Sequence, residues 1–360
     1  MSAQYCIALD THCEFCEMVA VSITGKIVAR ERCETTIPAL VAALEGVRRP
    51  RTLTFEEGPL ADWLARNLRP HVERLLVCEP RRNALIAKDG DKDDPIDAER
   101  LAQLLRGGYL KEVHQAQSLD RTVLKQHVSF YHDRVRERVR QGHQLVAQLR
   151  RHGVFASIRD VVDPDERRRL WKQLPPRKIL RNDLDLVRQV YELLVEQEEQ
   201  LRTELVRLAR REEPVRRFQE LPGFGWIRSI TFYVYIDTPA RFPSKSALWR
   251  YCGIGLERRH SGGGPLQVRL TRAGNRRLKD VLLGAAKSAA VSGDNPFADK
   301  YVYWTQEEGI HPSTARRNVA RSLASTLWSL WKTGSQYDPT LVRGSGRPSA
   351  PASDARSPIT

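Results

Sequence analysis

The sequence predicts an α/β domain with a mixed sheet, followed by a long helical segment and a second, mainly α-helical region. Three observations predict this class. Short apolar runs alternate with helical periodicities over the first hundred residues, heptad spacing dominates the middle of the chain, and a compact apolar region begins near residue 218. A chain of 360 residues is long enough for two or three such cores.

The predicted elements of the first domain follow one another with turn residues between them. Residues 24–26 (Thr-Gly-Lys) mark a turn between two apolar runs, and apolar residues recur at helical spacing over 36–47. In order, we predict strands over 5–10, 17–23 and 27–30, a helix over 36–47, a strand over 52–56, a helix over 60–68, a strand over 74–79 and a helix that begins at Pro95.

The middle of the chain, from about residue 115 to 212, is helical and highly charged. Near its end two sets of residues recur every seven positions with an offset of three, which is the spacing of a heptad seam. They are Leu184, Tyr191, Glu198 and Leu205, and Val187, Leu194, Leu201 and Leu208. The seam predicts either a coiled coil between two copies of the chain or a helical hairpin within one copy, and we favour self-association.

These patterns divide the chain into four predicted parts. They are an α/β domain over 1–112, a helical linker or coiled coil over 113–213, a mainly helical domain over 214–335 and a Ser-, Pro- and Gly-rich disordered tail over 336–360.

Charge and composition narrow the function classes. The chain has 59 Lys and Arg against 44 Asp and Glu, a net charge of +15 that favours a polyanionic partner such as nucleic acid. No apolar run approaches the roughly 20 residues of a membrane span, and the start lacks a secretory signal, so we expect a cytoplasmic protein without membrane association. Cys13 and Cys16 have the spacing of half a zinc site, but no second pair follows, so reduced thiols are expected.

Four carboxylates fall at predicted strand ends and at a helix start. Asp10 ends the first strand and Glu56 the fourth; if these strands are adjacent and parallel, their carboxyl ends meet where open α/β sheets place their sites. Pro95 suits the first turn of a helix, which makes Asp94 its N-cap and places Asp97 on the same face. Both aspartates can therefore face the sheet end that carries Asp10 and Glu56.

The helix acids also have a purely structural explanation, because Asp at a cap or in the first turn stabilises a helix by about 0.5–2 kcal/mol. Clustered acids on a protein of charge +15, however, need a cation, and carboxylate oxygens suit Mg²⁺. Two such ions about 4 Å apart assist phosphoryl transfer. The cluster therefore predicts a Mg²⁺-dependent nuclease or recombinase.

The sheet order and the acid spacing resemble the RNase H-like fold of the RuvC resolvases, with acids of the DEDD type, over roughly residues 4–110. A sugar-kinase-like ATPase shares the sheet order. That class normally has a Gly-rich phosphate loop after the first strand, which residues 11–13 (Thr-His-Cys) do not provide.

A second group of motifs lies between residues 221 and 279. Residues 221–225 (Leu-Pro-Gly-Phe-Gly) are similar to the turn of a helix-hairpin-helix, whose backbone N–H groups bind phosphate, although a plain turn is equally consistent. Ser261 precedes three glycines, and arginines flank it on both sides. A serine needs activation to act as a nucleophile, and this segment offers no obvious base. The candidate nucleic-acid-binding residues are Arg258, Arg259, Arg272, Asn275, Arg277 and Lys279.

Taken together, the ordered motifs resemble a transposase of the insertion-sequence "one-ten" family over about residues 4–335. The matching features are Asp10, then 56–59 (Glu-Glu-Gly-Pro), 94–98 (Asp-Pro-Ile-Asp-Ala), 222–225 (Pro-Gly-Phe-Gly), 241–242 (Arg-Phe), 261–262 (Ser-Gly) and 274–275 (Gly-Asn).

This resemblance implies an RNA-guided DNA recombinase of a mobile element. The family's metal-binding acids fall on Asp10, Glu56, Asp94 and Asp97, which would hold Mg²⁺, and its catalytic serine falls on Ser261. A structured non-coding bridge RNA would pair with donor and target DNA, and the serine would form a covalent intermediate with DNA. The resemblance also implies a homo-oligomer, a dimer or tetramer, in which the acids of one subunit meet the serine of another. Its expected location is the bacterial cytosol or nucleoid.

Some positions leave alternatives open. Glu57 competes with Glu56 and Asp93 with Asp94; we prefer Glu56 because it matches the acid of Glu-x-Gly-Pro, and Asp94 because it sits at the cap. Lys279 stands where the family commonly has Arg, which weakens bidentate phosphate binding. A Mg²⁺-dependent nuclease without a covalent intermediate is the alternative function, and a non-catalytic nucleic-acid scaffold is a third hypothesis.

Overall fold

The structure is a computed structural model that describes residues 5–80, 94–116, 118–259, 267–271 and 273–343. The chain divides into two compact units, Met1–Thr122 and Val123–Thr360. Residues 111–113 belong to the first unit because they pair with its last strand: the Glu79 N–H donates to the Lys111 carbonyl at 3.3 Å, and the Val113 N–H donates to the Val77 carbonyl at 2.7 Å.

The first unit is built on a five-stranded mixed sheet, as the sequence predicts. The spatial order is β3-β2-β1-β4-β5; β1 runs parallel to β4 and β4 parallel to β5, whereas β2 is antiparallel to both β1 and β3. The strands are β1 (Tyr5–Thr11), β2 (Phe15–Val21), β3 (Ile27–Glu34), β4 (Arg51–Glu56) and β5 (Arg74–Cys78). Strand β3 continues four residues beyond the predicted end at residue 30, because residues 31–34 keep pairing with the start of β2.

Helices cover both faces of this sheet. Helices α1 (Ile37–Glu45) and α2 (Ala61–Leu68) share one apolar cluster with the face that carries Leu53 and Phe55. Thr36 caps α1, its hydroxyl accepting a hydrogen bond from the Ala39 N–H at 3.4 Å.

The opposite face of the sheet is covered by α3 (Asp94–Arg106). Its residues Ala98, Leu101 and Ala102 are buried in a cluster with apolar side chains of β1 and β2. The C-terminal end of α3 is fastened to the β2–β3 turn, since the Gln103 side-chain amide donates to the Gly25 carbonyl at 2.9 Å.

The second unit, with the helix that leads into it, is predominantly helical. Its helices are α4 (Leu119–Arg150), α5 (Ile158–Val162), α6 (Pro164–Gln173), α7 (Lys178–Ala209), α8 (Glu213–Phe218), α9 (Trp226–Ile236), α10 (Lys245–Tyr251), α11 (Arg276–Ala289), α12 (Pro296–Val302), α13 (Pro312–Thr333) and α14 (Pro339–Arg343). A two-stranded antiparallel ribbon, β6 (Leu256–Arg259) and β7 (Gln267–Leu270), lies between α10 and α11. No helix among the described residues is long and apolar enough to cross a membrane.

The two longest helices, α4 and α7, form an antiparallel hairpin. Leu145 and Leu149 of α4 share a core with Leu184 near the start of α7, whereas Val128 shares a core with Leu205 near its end. The hairpin buries the predicted heptad seam within one chain, so the seam fits the second of the two predicted explanations. The buried or half-buried members are Leu184, Val187, Tyr191, Leu194, Leu201, Leu205 and Leu208.

The polar member of the seam, Glu198, is neutralised inside the hairpin. Its Oε2 accepts a hydrogen bond from Nε of Arg138 at 2.5 Å, and the two side chains are 19% and 28% exposed. This hydrogen bond raises the pKa of Arg138 and outweighs the burial that would lower it. The ion pair therefore allows a charged residue to lie within the otherwise apolar seam between α4 and α7.

Candidate active site

Asp10 lies at the carboxyl end of β1, in a row of residues that crosses the sheet. Asp10 is directly opposite Glu17 of β2, and Glu17 is opposite Arg32 of β3. On the other side, Leu9 is opposite Phe55 in the parallel pair, which places Glu56 beside Asp10, and Glu56 is opposite Cys78 of β5. The predicted juxtaposition of strands one and four is therefore present.

Strand alternation places these acids on one face of the sheet. Cys6 and Ala8 of β1 belong to the cluster that contains α3, whereas Ile7 and Leu9 belong to the cluster under α1 and α2. Asp10 follows Ala8 by two residues and is therefore on the α3 face.

Glu56 lies on the same face, because its neighbour Phe55 belongs to the opposite cluster. Glu56 is half-buried at the end of β4, whereas Glu57 is exposed and begins the following turn. The Glu57 backbone N–H donates to the Cys78 carbonyl at 2.8 Å, which ties the turn to β5. The choice between the two glutamates as metal ligands stays a prediction.

His12 is the side chain that contacts Asp10 directly. Its Nε2 lies 3.1 Å from Oδ2 of Asp10, and its ring stacks on Phe15 with a centroid distance of 4.8 Å. His12 was not among the predicted site residues. The signal that was available in the sequence is its position two residues after Asp10, immediately beyond the end of β1.

Glu17 is a further carboxylate at this end of the sheet, and it was not among the predicted site residues. It is 9% exposed, and its Oε1 lies 3.6 Å from Nε of Arg32. Arg32 also lies over the Phe15 ring, with its guanidinium carbon 3.6 Å from the ring centroid. Two carboxylates directly opposite each other repel, so the Asp10–Glu17 pair favours a positive charge nearby.

The acids of the helix are described only in part. Asp97 lies in the first turn of α3, with its side chain 48% exposed, and Oδ1 is 3.6 Å from the guanidinium of Arg100. Asp94 begins the helix, but its side chain lies outside the described residues, as does the whole of Asp93. Their roles in metal binding remain predictions.

The chemistry of Asp10 and Glu56 fits a hard divalent cation. Their carboxylates end adjacent parallel strands, which are spaced about 4.8 Å apart, and carboxylate oxygens are the donors that such cations prefer. Across the described part of the chain, no three His, Cys, Asp or Glu side chains are grouped closely enough to hold a metal ion. The pair is therefore a partial site, to which the helix acids would have to contribute.

In the sequence, the predicted nucleophile Ser261 falls between β6 and β7. Arg258 pairs with Val268, and Arg259 with Gln267 at the end of the ribbon. The side chains of Arg258 and Arg259 lie outside the described residues, and so do Ser261 and Arg272 in full.

Two other candidates for nucleic-acid binding have structural partners. The Asn275 side chain caps α11, its Oδ1 accepting from the Leu278 N–H at 3.0 Å. Arg277 is 18% exposed and donates to Oδ1 of Asp133 on α4 at 3.1 Å. Burial lowers the pKa of Arg277. Lys279 is half-buried and packs near Gly253. Phosphate binding by these three residues stays a prediction.

The turn over 221–225 is explained by packing. Gly223 has φ +81°, and a Cβ at this position would clash with the carbonyl oxygen of Ala285 on α11. The Gly223 carbonyl also accepts a hydrogen bond from Arg228 at 2.6 Å. The glycine therefore allows the turn to lie against α11.

Two family models match separate parts of the chain. A model described as a transposase, of the DEDD type found in IS110 elements, matches residues 7–153. A model described as the transposase IS116/IS110/IS902 family matches residues 215–302. No curated protein matches the chain. The first match contains the row of Asp10 and Glu56, the second contains the β6–β7 ribbon, and together they span more than half of the sequence. The chain therefore belongs to the IS110 family of transposases and is a DNA transposase or recombinase with a DEDD domain of the RuvC-like fold.

Proposed function

We propose that this transposase is an RNA-guided recombinase that cuts and rejoins DNA through a covalent bond to Ser261. The observation that carries the proposal is the register of β1 and β4, which sets Asp10 beside Glu56 on the face covered by α3. The family match over residues 215–302 spans Ser261 and supports its assignment as the nucleophile.

The proposed cation is Mg²⁺, held by Asp10 and Glu56 together with Asp94 and Asp97. When bound, it supplies positive charge to the phosphate oxygens during strand transfer. The protein's own contribution is the fixed placement of Asp10 and Glu56 on paired strands, which requires little reorganisation when the cation and DNA arrive.

The proposed chemical step is a transesterification. The Ser261 oxygen forms an ester bond to the phosphorus while the bond from phosphorus to one deoxyribose oxygen breaks. The serine proton is lost to solvent or a base, and the departing oxygen gains a proton. The number of phosphoester bonds is unchanged, so rejoining by a second DNA hydroxyl requires no nucleotide triphosphate and releases the serine.

The proposed partners are donor DNA, target DNA and a structured bridge RNA. The net charge of +15 supports binding of polyanions, and affinity should fall steeply with added salt. Arg269 is exposed on β7, which follows the proposed nucleophile segment in the sequence.

We also propose that the active form is a dimer or tetramer. The seam residues are occupied inside the hairpin, but α7 carries a second, exposed apolar row at helical spacing. The row consists of Ile179, Leu186, Val190 and Leu193. Replacing Leu186 and Leu193 by Lys should lower the mass measured by light scattering to that of a monomer, whereas Thr203→Lys, at an exposed position of α7 away from this row, should not.

The test of the covalent step is an adduct assay. The protein is mixed with Mg²⁺, labelled element-end DNA and RNA transcribed from the flanking non-coding DNA, and the products are resolved on a denaturing gel. Wild type should give a protein–DNA band that both Ser261→Ala and Asp10→Asn lose. Ser246→Ala, which changes an exposed serine on α10, should retain the band.

The other outcomes identify the alternatives. Cut DNA without a protein-bound band in any lane would favour a Mg²⁺-dependent nuclease that uses only the four acids Asp10, Glu56, Asp94 and Asp97. A band of equal strength with and without RNA would contradict RNA guidance while leaving the serine chemistry intact. Sequencing the RNA that copurifies with the chain provides an independent check of that partner.

A further inference from the structure

Three side chains form a contact chain that ends on Asp10. The Arg32 guanidinium lies over the Phe15 ring at 3.6 Å, the Phe15 ring stacks on the His12 ring at 4.8 Å, and His12 Nε2 lies 3.1 Å from Asp10 Oδ2. The ring of His12 is therefore contacted on its face by one residue and engaged at its edge by another.

The backbone of His12 is fixed independently of this stack. Its N–H donates to the Phe15 carbonyl at 3.0 Å, and its carbonyl accepts a hydrogen bond from the Thr35 hydroxyl at 2.8 Å. The Thr35 N–H in turn donates to the Glu14 carbonyl at 3.0 Å. Phe15 and Thr35, which follows β3, thus hold the backbone of His12 from two sides.

Fold stability alone does not account for this construction. The side chains of His12 and Asp10 are 40% and 31% exposed, and ion pairs exposed to this degree contribute little to folding. The orientation of Asp10, in contrast, does require a partner. Glu17 lies directly opposite on β2 and would push the Asp10 carboxylate out of the row.

We propose that His12 is a positioning residue that fixes the Asp10 carboxylate for cation binding, with Phe15 and Arg32 holding the His12 ring. The bond to Oδ2 leaves Oδ1 as the oxygen available to a cation. This inference rests on the proposed function, because it takes Asp10 to be a metal ligand. Residues that orient metal ligands in this way typically change metal affinity 10- to 100-fold when they are removed.

The test measures Mn²⁺ binding to the full chain by electron paramagnetic resonance, without DNA or RNA. Asp10→Asn defines binding elsewhere on the protein, and the difference from wild type gives the affinity of the Asp10 site. His12→Ala should weaken that affinity about tenfold or more. His12→Gln keeps an N–H donor near the position of Nε2 and should recover most of it. His152→Ala, an exposed histidine of the second unit, is the matched control and should bind as wild type.

Thermal unfolding in the absence of metal separates positioning from loss of structure. His12→Ala should unfold within about 2 °C of wild type, since the pair is exposed. Wild-type Mn²⁺ affinity in His12→Ala, with Asp10→Asn defective, would overturn this inference alone. Wild-type affinity in Asp10→Asn would overturn the proposed metal site and this inference with it. A fall in affinity that His12→Gln fails to restore would also overturn positioning by the N–H donor.

Discussion

Two regions of the molecule are held in place by different interactions. One is the acid row of the first unit, which consists of Asp10, Glu17 and Glu56, and the other is the region around the β6–β7 ribbon of the second unit. Regular strand pairing places Asp10 and Glu56, because each is the last inward residue of its strand. Around the ribbon, close backbone packing dominates: Gly274 has φ +147°, and a Cβ there would clash with the backbone of Gly253. The comparison teaches that a residue of a predicted functional motif can serve the scaffold, as Asn275 does by capping α11.

The largest effect, on the rate of strand transfer, should come from inactivating each region in a separate variant. Asp10→Ala and Ser261→Ala should each reduce strand transfer by at least about a thousandfold, because each removes an essential part of the chemistry. If the acids of one subunit serve the serine of another, mixing the two inactive variants should restore up to about a quarter of wild-type activity, by counting composite sites in mixed dimers.

Strand transfer with a doubly labelled DNA substrate measures this recovery. The control is a mixture in which one partner carries both substitutions, which should stay inactive. An absence of recovery, when mixed oligomers are shown to form, would assign both regions to one subunit.

The next largest effect, on the free energy of unfolding, is expected where a glycine allows close backbone packing. Gly223→Ala should destabilise the second unit by about 3 kcal/mol or more, since it combines positive φ with a clash against Ala285. Gly58→Ala, in the first unit beside Glu57, has open space around its Cβ and should change stability by less than about 0.5 kcal/mol. Urea unfolding followed by tryptophan fluorescence measures both, and equal effects would break the comparison.

Some features of these two regions could be predicted from the sequence, and others could not. Short apolar runs, helical periodicity and the strand-end positions of Asp10 and Glu56 predicted the mixed sheet and its carboxyl edge, because these signals are local in the sequence. The roles of His12 and Glu17 were missed because they depend on the pairing of β1 with β2, which the pattern of either strand alone does not fix. For the same reason, the heptad seam on α7 could not reveal that α4 of the same chain would cover it.

The reactivity of the Cys33 thiol reports on the packing of β3, the edge strand of the five-stranded sheet. Cys33 lies opposite Cys16 in the β2–β3 ladder, and burial, with the nearby Cys16, raises its pKa to about 11. At pH 8 its thiolate fraction, and so its alkylation rate by iodoacetamide, should be about a hundredfold below that of a free thiol, whose ordinary pKa is 9.0. The rate should rise between pH 9 and 11.

Mass spectrometry of tryptic peptides follows this reaction, with the exposed Cys13 as the internal reference. The folded state favours the neutral thiol, so Cys33 contributes stability below pH 9 that is lost as the pH rises towards 11. Equal labelling of Cys13 and Cys33 at pH 8 would contradict the partial burial of the Cys33 thiol.

The smallest expected effect distinguishes scaffold cations from phosphate-binding cations in the second unit. Arg277→Ala should lower stability by about 1 kcal/mol through loss of the partly buried bond to Asp133, with little change in the salt dependence of DNA binding. Its neighbour Arg276 is exposed, and Arg276→Ala should leave stability unchanged. If Arg276 contacts DNA, that variant should reduce the salt slope by about one. Fluorescence anisotropy across a salt series measures the slopes.

The length of helix α3 sets where its acidic residues lie along the sheet, relative to the end that carries Asp10 and Glu56. Gln103 fixes the helix to Gly25 at the far turn, and nine helical residues from there to Asp94 rise about 13.5 Å. Four strand residues, from Val21 back to Glu17, cover about the same distance. The position of Asp94 and Asp97 along the sheet thus depends on a contact at the other end of α3. A change at Gln103 or in the turn would shift Asp94 and Asp97 along the sheet without touching either residue. If these two acids hold the proposed cation, such a change would alter metal affinity from a distance.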